Sequence, residues 1–283
     1  ASAGWCARNV SAMLKLCPRS CSVCGPGDPC ISNASDKGVL PEHEVGSWFS
    51  ALVNSPEAQQ YGLEVISSDP YLVVLKNFLS QQEIDETIQQ ISDDWERSTM
   101  SPTRAHASMQ ADKRTSETQW CRHDCQQQSS IQHLFQRVEK VTNISRLRYE
   151  FPQILRYKPG ERYLLHSDFI PRHSRCATGP RVLTFFIYLT DNVEAGTRFP
   201  YLDVTLPSLK GHAAIWPSGL AHDIWQKEVR TVHEALPPGP NSTKLAINMW
   251  IHQYNFGQFL ASGCVGADRE LHFHEASDDH QEL

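Results

Sequence analysis

The sequence predicts an α+β protein in which amphipathic helices precede an antiparallel β-sandwich or barrel. Apolar residues recur at helical spacing in two stretches between Ser80 and Val141. From Tyr149 onward, short apolar or alternating runs are separated by proline and glycine, with no helical pattern between them. At 283 residues, of which 40% are hydrophobic, the chain is long and apolar enough to bury a sizeable core.

The first predicted helix has a start signal and a periodic face. Ser80 serves as the N-cap, and Glu83 completes a capping box. The apolar residues that share the face of this helix are Ile84, Ile88, Ile91 and Trp95. A strand-like run from Tyr71 to Phe78 precedes it. The polar, aperiodic segment from Ser98 to Gln119 predicts an exposed and mobile loop. A second helix follows from about Ser130, with an apolar side formed by Ile131, Leu134, Phe135, Val138 and Val141.

Charge and hydropathy exclude two kinds of partner. The formal net charge is -6, from 26 basic and 32 acidic residues, and there is no basic block. Such a balance lacks the electrostatic footprint for nucleic acid or an anionic membrane surface. The longest apolar run, from Val182 to Leu189, is far shorter than the roughly 20 residues that cross a bilayer. We therefore expect neither a nucleic-acid partner nor a membrane span.

The nine cysteines are unevenly placed. Five lie in the first thirty residues, namely Cys6, Cys17, Cys21, Cys24 and Cys30, whereas Cys121, Cys125, Cys176 and Cys264 are spread over the rest. The crowding predicts a small disulfide module, although the "CSVC" spacing leaves a zinc site as an alternative. Four glycosylation sequons, at Asn9, Asn33, Asn143 and Asn241, agree with a secreted glycoprotein.

Three separated side chains form a candidate metal site. His166 and Asp168, in "YLLHSDF", are two residues apart, so on a strand both leave the same face. His233, in "RTVHEAL", would complete the 2-His-1-carboxylate set that holds non-haem Fe(II). Lys244 follows in "TKLAINMW", and a buried lysine requires an anion. The alternatives are a core histidine at His233, a surface lysine, or His222 as the third ligand.

The segment from about Tyr71 to Phe256 resembles the catalytic domain of prolyl 4-hydroxylases, which are 2-oxoglutarate- and Fe(II)-dependent oxygenases with a double-stranded β-helix (jelly-roll) core. The matching motifs are "LRYKPGERYLLHSD", "GPRVLTFFIYLTD", "AGTRFP", "LPSLKGHAAIWP", "TVHEALP" and "TKLAINMW". The resemblance implies that His166, Asp168 and His233 bind iron. It also implies that Lys244 pairs with the distal carboxylate of 2-oxoglutarate, assisted by Tyr157 and Thr197.

The same resemblance implies a peptide groove beside the iron, lined by Arg181, Tyr163 and Trp250. Aromatic surfaces and an arginine suit a preformed polyproline II segment. The alternatives are core aromatic residues and a surface arginine. "KRTSETQW" resembles the family's RTS loop, which folds over the peptide. Ala195 replaces a family glycine where we expect a turn, and His173 is expected at the rim of the site.

The implied activity is hydroxylation of peptidyl proline at C4. The reaction would consume 2-oxoglutarate and O2, release succinate and CO2, and use L-ascorbate as the reductant. One alternative is hydroxylation of another side chain such as lysine, but related lysyl hydroxylases use arginine where this chain has Lys244. A non-catalytic secretory binding protein is a second alternative.

We expect four regions along the chain. Residues 1–30 form a cysteine-rich module that resembles the second half of a ShK-type toxin domain, with four of that family's six cysteines in "GWCARNVSAMLKLCPRSCSVC". Residues 31–69 are a linker and lead-in, 70–258 the oxygenase domain, and 259–283 a tail. The tail ends in "HQEL", which resembles endoplasmic reticulum retrieval signals. We therefore expect the endoplasmic reticulum lumen, the alternative being a polar tail without a signal.

Overall fold

The computed structural model describes residues 38–40, 44–98, 113–171, 173 and 178–257. Two antiparallel β-sheets pack face to face, and helices cover the outer face of the larger sheet. This arrangement agrees with the jelly roll implied by the sequence. The N-terminal cysteine module and the C-terminal tail lie outside the described residues. In the ranges above, no helix is both long and apolar enough to cross a membrane.

The larger sheet has the spatial order β1-β2-β10-β7-β14-β5-β4-β3. Its strands are β1 Leu63–Ser68, β2 Tyr71–Leu75, β3 Glu96–Arg97, β4 Glu117–Trp120, β5 Gln153–Tyr157, β7 Arg181–Tyr188, β10 Ala213–Pro217 and β14 Lys244–His252. The smaller sheet, ordered β6-β13-β8-β9, contains β6 Tyr163–His166, β8 Asn192–Phe199, β9 Val204–Ser208 and β13 His233–Ala235. A separate hairpin consists of β11 Gly219–Leu220 and β12 Asp223–Lys227.

The described helices flank the larger sheet. They are α1 Val45–Asn54, α2 Pro56–Gln59, α3 Gln81–Gln89, α4 Asp124–Gln127 and α5 Ser129–Thr142, with 3-10 turns at Arg146–Arg148, Pro200–Leu202 and Val229–Thr231. The capping box before α3 is confirmed, since the Ser80 hydroxyl accepts from the Glu83 N–H and the Glu83 carboxylate accepts from the Ser80 N–H. Helix α5 buries the five apolar residues that predict it.

Helix α3 is shorter than predicted. It ends at Gln89, so Ile91 and Trp95 lie beyond it. The physical reason is local, because Ser92 and the two aspartates after it favour turns, in which their side chains bond to nearby backbone, over a continued helix. Ile91 and Trp95 nevertheless pack against the hydrophobic core from the loop.

Each central strand of the larger sheet is buried on both faces. One face packs against the helices, and the other faces the smaller sheet. On β14, Ile247, Met249 and Ile251 pack into the helix-side core. The alternating residues of β14, which therefore face the smaller sheet, are Lys244, Ala246, Asn248 and Trp250. The strand that carries the predicted 2-oxoglutarate lysine thus presents its polar residues to the space between the sheets.

Two segments are more ordered than the sequence indicated. Residues 45–68, assigned to the linker and lead-in, contribute α1, α2 and β1; the fully buried ring of Phe49 stacks on Tyr71 at 4.8 Å between centroids. Part of the predicted mobile loop forms β4, paired with β5, and Arg114 and Ser116 are buried. The loop prediction is therefore wrong for residues 113–119, because hydrogen bonds inside the fold satisfy their polar groups. The rest of the predicted loop, residues 99–112, lies outside the described ranges.

Candidate active site

The three predicted metal ligands meet between the two sheets. His166 ends β6 and lies directly opposite His233, which begins β13, while Asp168 follows two residues after His166. One ligand atom from each residue lies within 4.8 Å of the others. The Nε2 atom of His233 is 3.7 Å from Oδ2 of Asp168. Asp168 and His233 are buried.

Hydrogen bonds orient each ligand toward the shared centre. Nδ1 of His166 lies 2.8 Å from the Leu164 carbonyl oxygen, and Nδ1 of His233 lies 3.0 Å from that of Thr231. A carbonyl oxygen only accepts, so both Nδ1 atoms carry hydrogen. In the neutral imidazole this leaves the Nε2 lone pair for a metal. Thr184 donates its hydroxyl to Oδ2 of Asp168 at 2.7 Å.

The electrostatics of the triad favour the protonation states that bind a metal. Burial and the neighbouring His233 hold the pKa of His166 well below its usual value, so its imidazole is neutral at physiological pH. Burial alone would raise the pKa of Asp168, but His233, His166 and the Thr184 hydrogen bond together lower it. Two imidazoles and one carboxylate fit Fe(II), because this donor set leaves open positions on the ion.

Lys244 is fully buried on the same inner face of the larger sheet. Its Nζ donates to the Gly196 carbonyl oxygen at 3.1 Å and lies 5.4 Å from the centroid of the Tyr157 ring and 5.6 Å from that of Tyr188. Within the described ranges, no carboxylate forms an ion pair with this ammonium. Burial lowers the pKa of Lys244 to about 7. An unpaired buried cation of this kind is suited to the carboxylate of a ligand.

The two predicted partners of Lys244 lie beside it. Tyr157 is its direct cross-strand neighbour on β5, and Thr197 follows Gly196 on β8. Sequence reasoning missed Tyr188, whose hydroxyl donates to Thr197 Oγ1 at 2.8 Å. Burial raises the pKa of Tyr157 to about 12 and that of Tyr188 further, so both phenols remain hydrogen-bond donors. The turn expected at Ala195 is not present, because Ala195 and Gly196 both lie within the extended strand β8.

Arg181 and Trp250 lie together at the other end of β14. The Arg181 guanidinium lies 3.6 Å from the Trp250 ring centroid and forms two hydrogen bonds to Glu150, of which the Nη2–Oε2 bond is 2.8 Å. His252 Nε2 lies 2.7 Å from the same carboxylate. Although burial opposes ionisation of Glu150, Arg181 and His252 lower its pKa well below the usual range. No motif or spacing in the sequence indicated Glu150 or His252.

Tyr163 connects the triad to the segment that resembles an RTS loop. Its ring stacks on that of His166 with 3.5 Å between centroids, and the Arg114 guanidinium lies 4.5 Å from the same ring. Arg114 Nη2 also donates to Gln153 Oε1 at 3.2 Å. Tyr163 therefore lies against a predicted metal ligand rather than in the hydrophobic core on the helix side of the sheet.

The structure also locates two further histidines, one considered as an alternative third ligand and one expected at the rim of the site. His222 is exposed between β11 and β12 and is not part of the triad, which argues against it as a third ligand. His173, expected at the rim, is buried and stacks on His252 with 5.5 Å between centroids. Ligand atoms of Glu150, His173 and His252 also lie within 4.8 Å of one another. Arg181 already neutralises that carboxylate, so the site is less suited to a metal than the triad is.

Comparison with known proteins agrees with this geometry. Residues 152–252 match the family model described as the 2OG-Fe(II) oxygenase superfamily. The matched segment contains β5 to β14, the triad and Lys244. The jelly-roll sheets, the His-His-Asp site and the family match together support a 2OG-Fe(II) oxygenase domain in this part of the chain.

The relatives carry more specific names. Over 74% of its length the chain is 28% identical to prolyl 4-hydroxylase 1 of Arabidopsis thaliana, covering 79% of that protein. It is 27% identical, also over 74%, to prolyl 4-hydroxylase subunit alpha-2 of Caenorhabditis elegans, but spans only 38% of that protein's length. A crystal structure of a viral collagen prolyl hydroxylase from Paramecium bursaria Chlorella virus-1 has 24% identity and a TM-score of 0.49, covering 66% of this chain and 98% of that one.

Proposed function

We propose that this protein is an Fe(II)- and 2-oxoglutarate-dependent dioxygenase that hydroxylates peptidyl proline at C4, with release of succinate and CO2. The observation that carries the proposal is the pairing of a His-His-Asp triad, of which Asp168 and His233 are buried, with a fully buried lysine between the same two sheets. The prolyl 4-hydroxylases among the relatives favour proline as the target. The bound iron and 2-oxoglutarate supply the oxidative chemistry, namely decarboxylation of the oxo acid coupled to hydroxylation of a C–H bond.

The residues of the chain hold and orient the reactants. His166, Asp168 and His233 would hold the iron. Lys244 pairs with the distal carboxylate of 2-oxoglutarate, and the hydroxyls of Tyr157 and Thr197 add hydrogen bonds there. The ammonium exchanges its weak contact with the Gly196 carbonyl for a full negative charge. A 2-oxo acid would thereby be held by its distal carboxylate.

The groove residues orient the peptide. By the resemblance to prolyl 4-hydroxylases, Trp250, Tyr163 and Arg181 line the peptide groove, and the ion pair with Glu150 keeps Arg181 fixed over the Trp250 ring. A polyproline II segment is already extended, so little conformational entropy is lost when it binds. Holding the target proline in one orientation selects which C–H bond reacts.

The test of this function is a peptide assay. Purified protein with iron, 2-oxoglutarate and ascorbate should add one oxygen to proline in some member of a panel of proline-containing peptides. Fragmentation mass spectrometry locates the oxygen, and matched peptides with lysine or alanine in place of proline serve as controls. Oxygen added to lysine alone would contradict prolyl hydroxylation in favour of the alternative, and absence of any 2-oxoglutarate turnover would contradict the oxygenase itself.

Binding of 2-oxoglutarate is expected to weaken as pH rises above about 7. Burial lowers the pKa of Lys244 in the free protein to about 7, and a bound carboxylate raises it again. Above that pH, binding must therefore take up a proton, and affinity should fall by up to about tenfold per pH unit. Below it, Lys244 is already charged and its contribution to the pH dependence vanishes. Calorimetry in buffers of different ionisation enthalpy counts the protons.

Lys244→Arg is the matched control for this pH dependence, because guanidinium stays charged throughout. Its binding should not depend on pH between 7 and 9. An equal slope in Lys244→Arg and in the wild-type protein would assign the proton to another group.

We further propose that the protein is retained in the endoplasmic reticulum lumen as a glycoprotein and that L-ascorbate keeps its iron reduced. The C-terminal "HQEL" and the four sequons support this location. Deleting His280 to Leu283 should release the protein into the medium of expressing cells, whereas Gln281→Asp should retain it at least as well as wild type. Retention of the truncated protein would argue against the signal.

A further inference from the structure

Trp120 lies on the face of the larger sheet that faces the candidate site. It is the last residue of β4 and pairs with Gln153 on β5, which in turn pairs with Asn248 on β14. Directly paired residues of neighbouring strands point to the same side of a sheet. The three residues thus form one row on the side that Lys244 and Trp250 also face. The partly buried Trp120 ring lies 6.0 Å from that of Trp250.

A row of aromatic and cationic side chains extends from Trp250 past Trp120 to Arg122 and Phe151. The Arg122 guanidinium lies 5.7 Å from the Trp120 ring centroid and 5.6 Å from that of Phe151, and all three side chains are partly exposed. Nε of Arg122 is buried, and within the described part of the chain no acceptor bonds to it. This surface therefore offers ring faces and the partly exposed Arg122 side chain next to the predicted groove. Proline rings and the free backbone carbonyls of a polyproline II segment match both features.

A disulfide fixes the end of β4 behind this surface. Cys121 follows Trp120, so its side chain points to the opposite face, where it is fully buried in the helix-side core. It is bonded to Cys125 on α4, with 5.1 Å between the Cα atoms, and its N–H donates to the Pro152 carbonyl at 2.9 Å. Between the cysteines, His123 has a φ of 45°, which non-glycine residues rarely adopt. The bridge thus closes the turn that follows β4.

We propose that Trp120 contacts the substrate residues flanking the target proline and determines specificity for them, and that the Cys121–Cys125 disulfide is the positioning element that holds Trp120 in place. The inference rests on the proposed function, since it assigns a specificity surface to the same groove. The ligand is a proline-rich segment in an extended conformation.

The experiment compares two peptides that share the target proline but differ in having proline or glycine as flanking residues. Wild type should prefer the proline-flanked peptide. Trp120→Ala should raise the KM for that peptide by about tenfold, as expected for loss of one stacked ring, and should lose the preference, with Trp120→Phe restoring part of it. The dissociation constant of 2-oxoglutarate, measured calorimetrically, should stay unchanged. Trp48→Ala, which removes a partly buried tryptophan from α1, is the matched control.

The disulfide is tested by the double variant Cys121→Ala with Cys125→Ser. We expect a higher KM for the proline-flanked peptide with 2-oxoglutarate affinity retained, and no further rise when Trp120→Ala is added. Circular dichroism checks that the variant is folded. Additive effects of the two changes would contradict positioning of Trp120 by the disulfide, and an unfolded variant would assign the bridge to global stability instead.

The outcomes separate this inference from the proposed function. A wild-type protein that hydroxylates the peptide, combined with a Trp120→Ala variant of unchanged KM and preference, overturns the role of Trp120 alone. A wild-type protein that binds 2-oxoglutarate but neither binds nor hydroxylates any proline peptide overturns the proposed function, and this inference with it.

Discussion

Substitution of Asp168 by alanine is expected to abolish both metal binding and 2-oxoglutarate turnover. The carboxylate is the only anionic member of the triad and is held by the Thr184 hydroxyl, so its loss leaves two imidazoles and no negative charge for the metal. Removal of a group that merely orients a ligand costs 10–100-fold in metal affinity, so loss of the ligand itself should exceed about 100-fold. His166→Ala and His233→Ala should behave alike. Metal content after dialysis and succinate release measure the two effects.

His222→Ala is the matched control for the triad variants. This exposed histidine was the competing third ligand, and the structure places it away from the other two. Metal content and turnover should equal those of the wild-type protein. Undiminished iron binding by Asp168→Ala, or its loss in His222→Ala, would refute the assignment of the site.

Substitution of Lys244 by methionine is expected to weaken 2-oxoglutarate binding by ~30-fold or more. Removing one partner of a buried, hydrogen-bonded charge pair costs 2 kcal/mol or above, and the methionine side chain offers no donor to the distal carboxylate. Iron binding should persist, because Lys244 is not among the ligands. Calorimetric titration of the metal-loaded variant with 2-oxoglutarate measures the loss. Wild-type affinity in this variant would show that the diacid binds elsewhere.

The same variant should be more stable than wild type in the absence of 2-oxoglutarate. Burial lowers the pKa of Lys244 from its ordinary value of 10.5 to about 7, so the unfolded chain holds one more proton between these pH values. The stability of the free wild-type protein should therefore rise with pH across that window, whereas Lys244→Met should lack this rise. Thermal denaturation at pH 7 and pH 9 tests both statements. A destabilised variant would indicate that Lys244 has an anionic partner within the protein.

Local signals explain why much of the fold was predictable. The Ser80 cap, the apolar face of α5 and the period-2 pattern of β14 act between residues near in sequence, so they are visible without a structure. The loop prediction was wrong for residues 113–119 for the converse reason. Its polar composition hid β4, which is ordered by pairing with β5 and by bonds to residues far along the chain.

The sequence by itself was enough to predict the alternating apolar pattern of the antiparallel strands. It also indicated the three candidate metal ligands and the lysine that accompanies them. Only the tertiary structure decided the partners, including Tyr188 beside Thr197, Glu150 between Arg181 and His252, and Trp120 next to Trp250. The physical reason is that burial and contacts between distant segments set these roles. Glu150 and His252, for example, are 102 residues apart and meet only when β14 closes against the chain before β5.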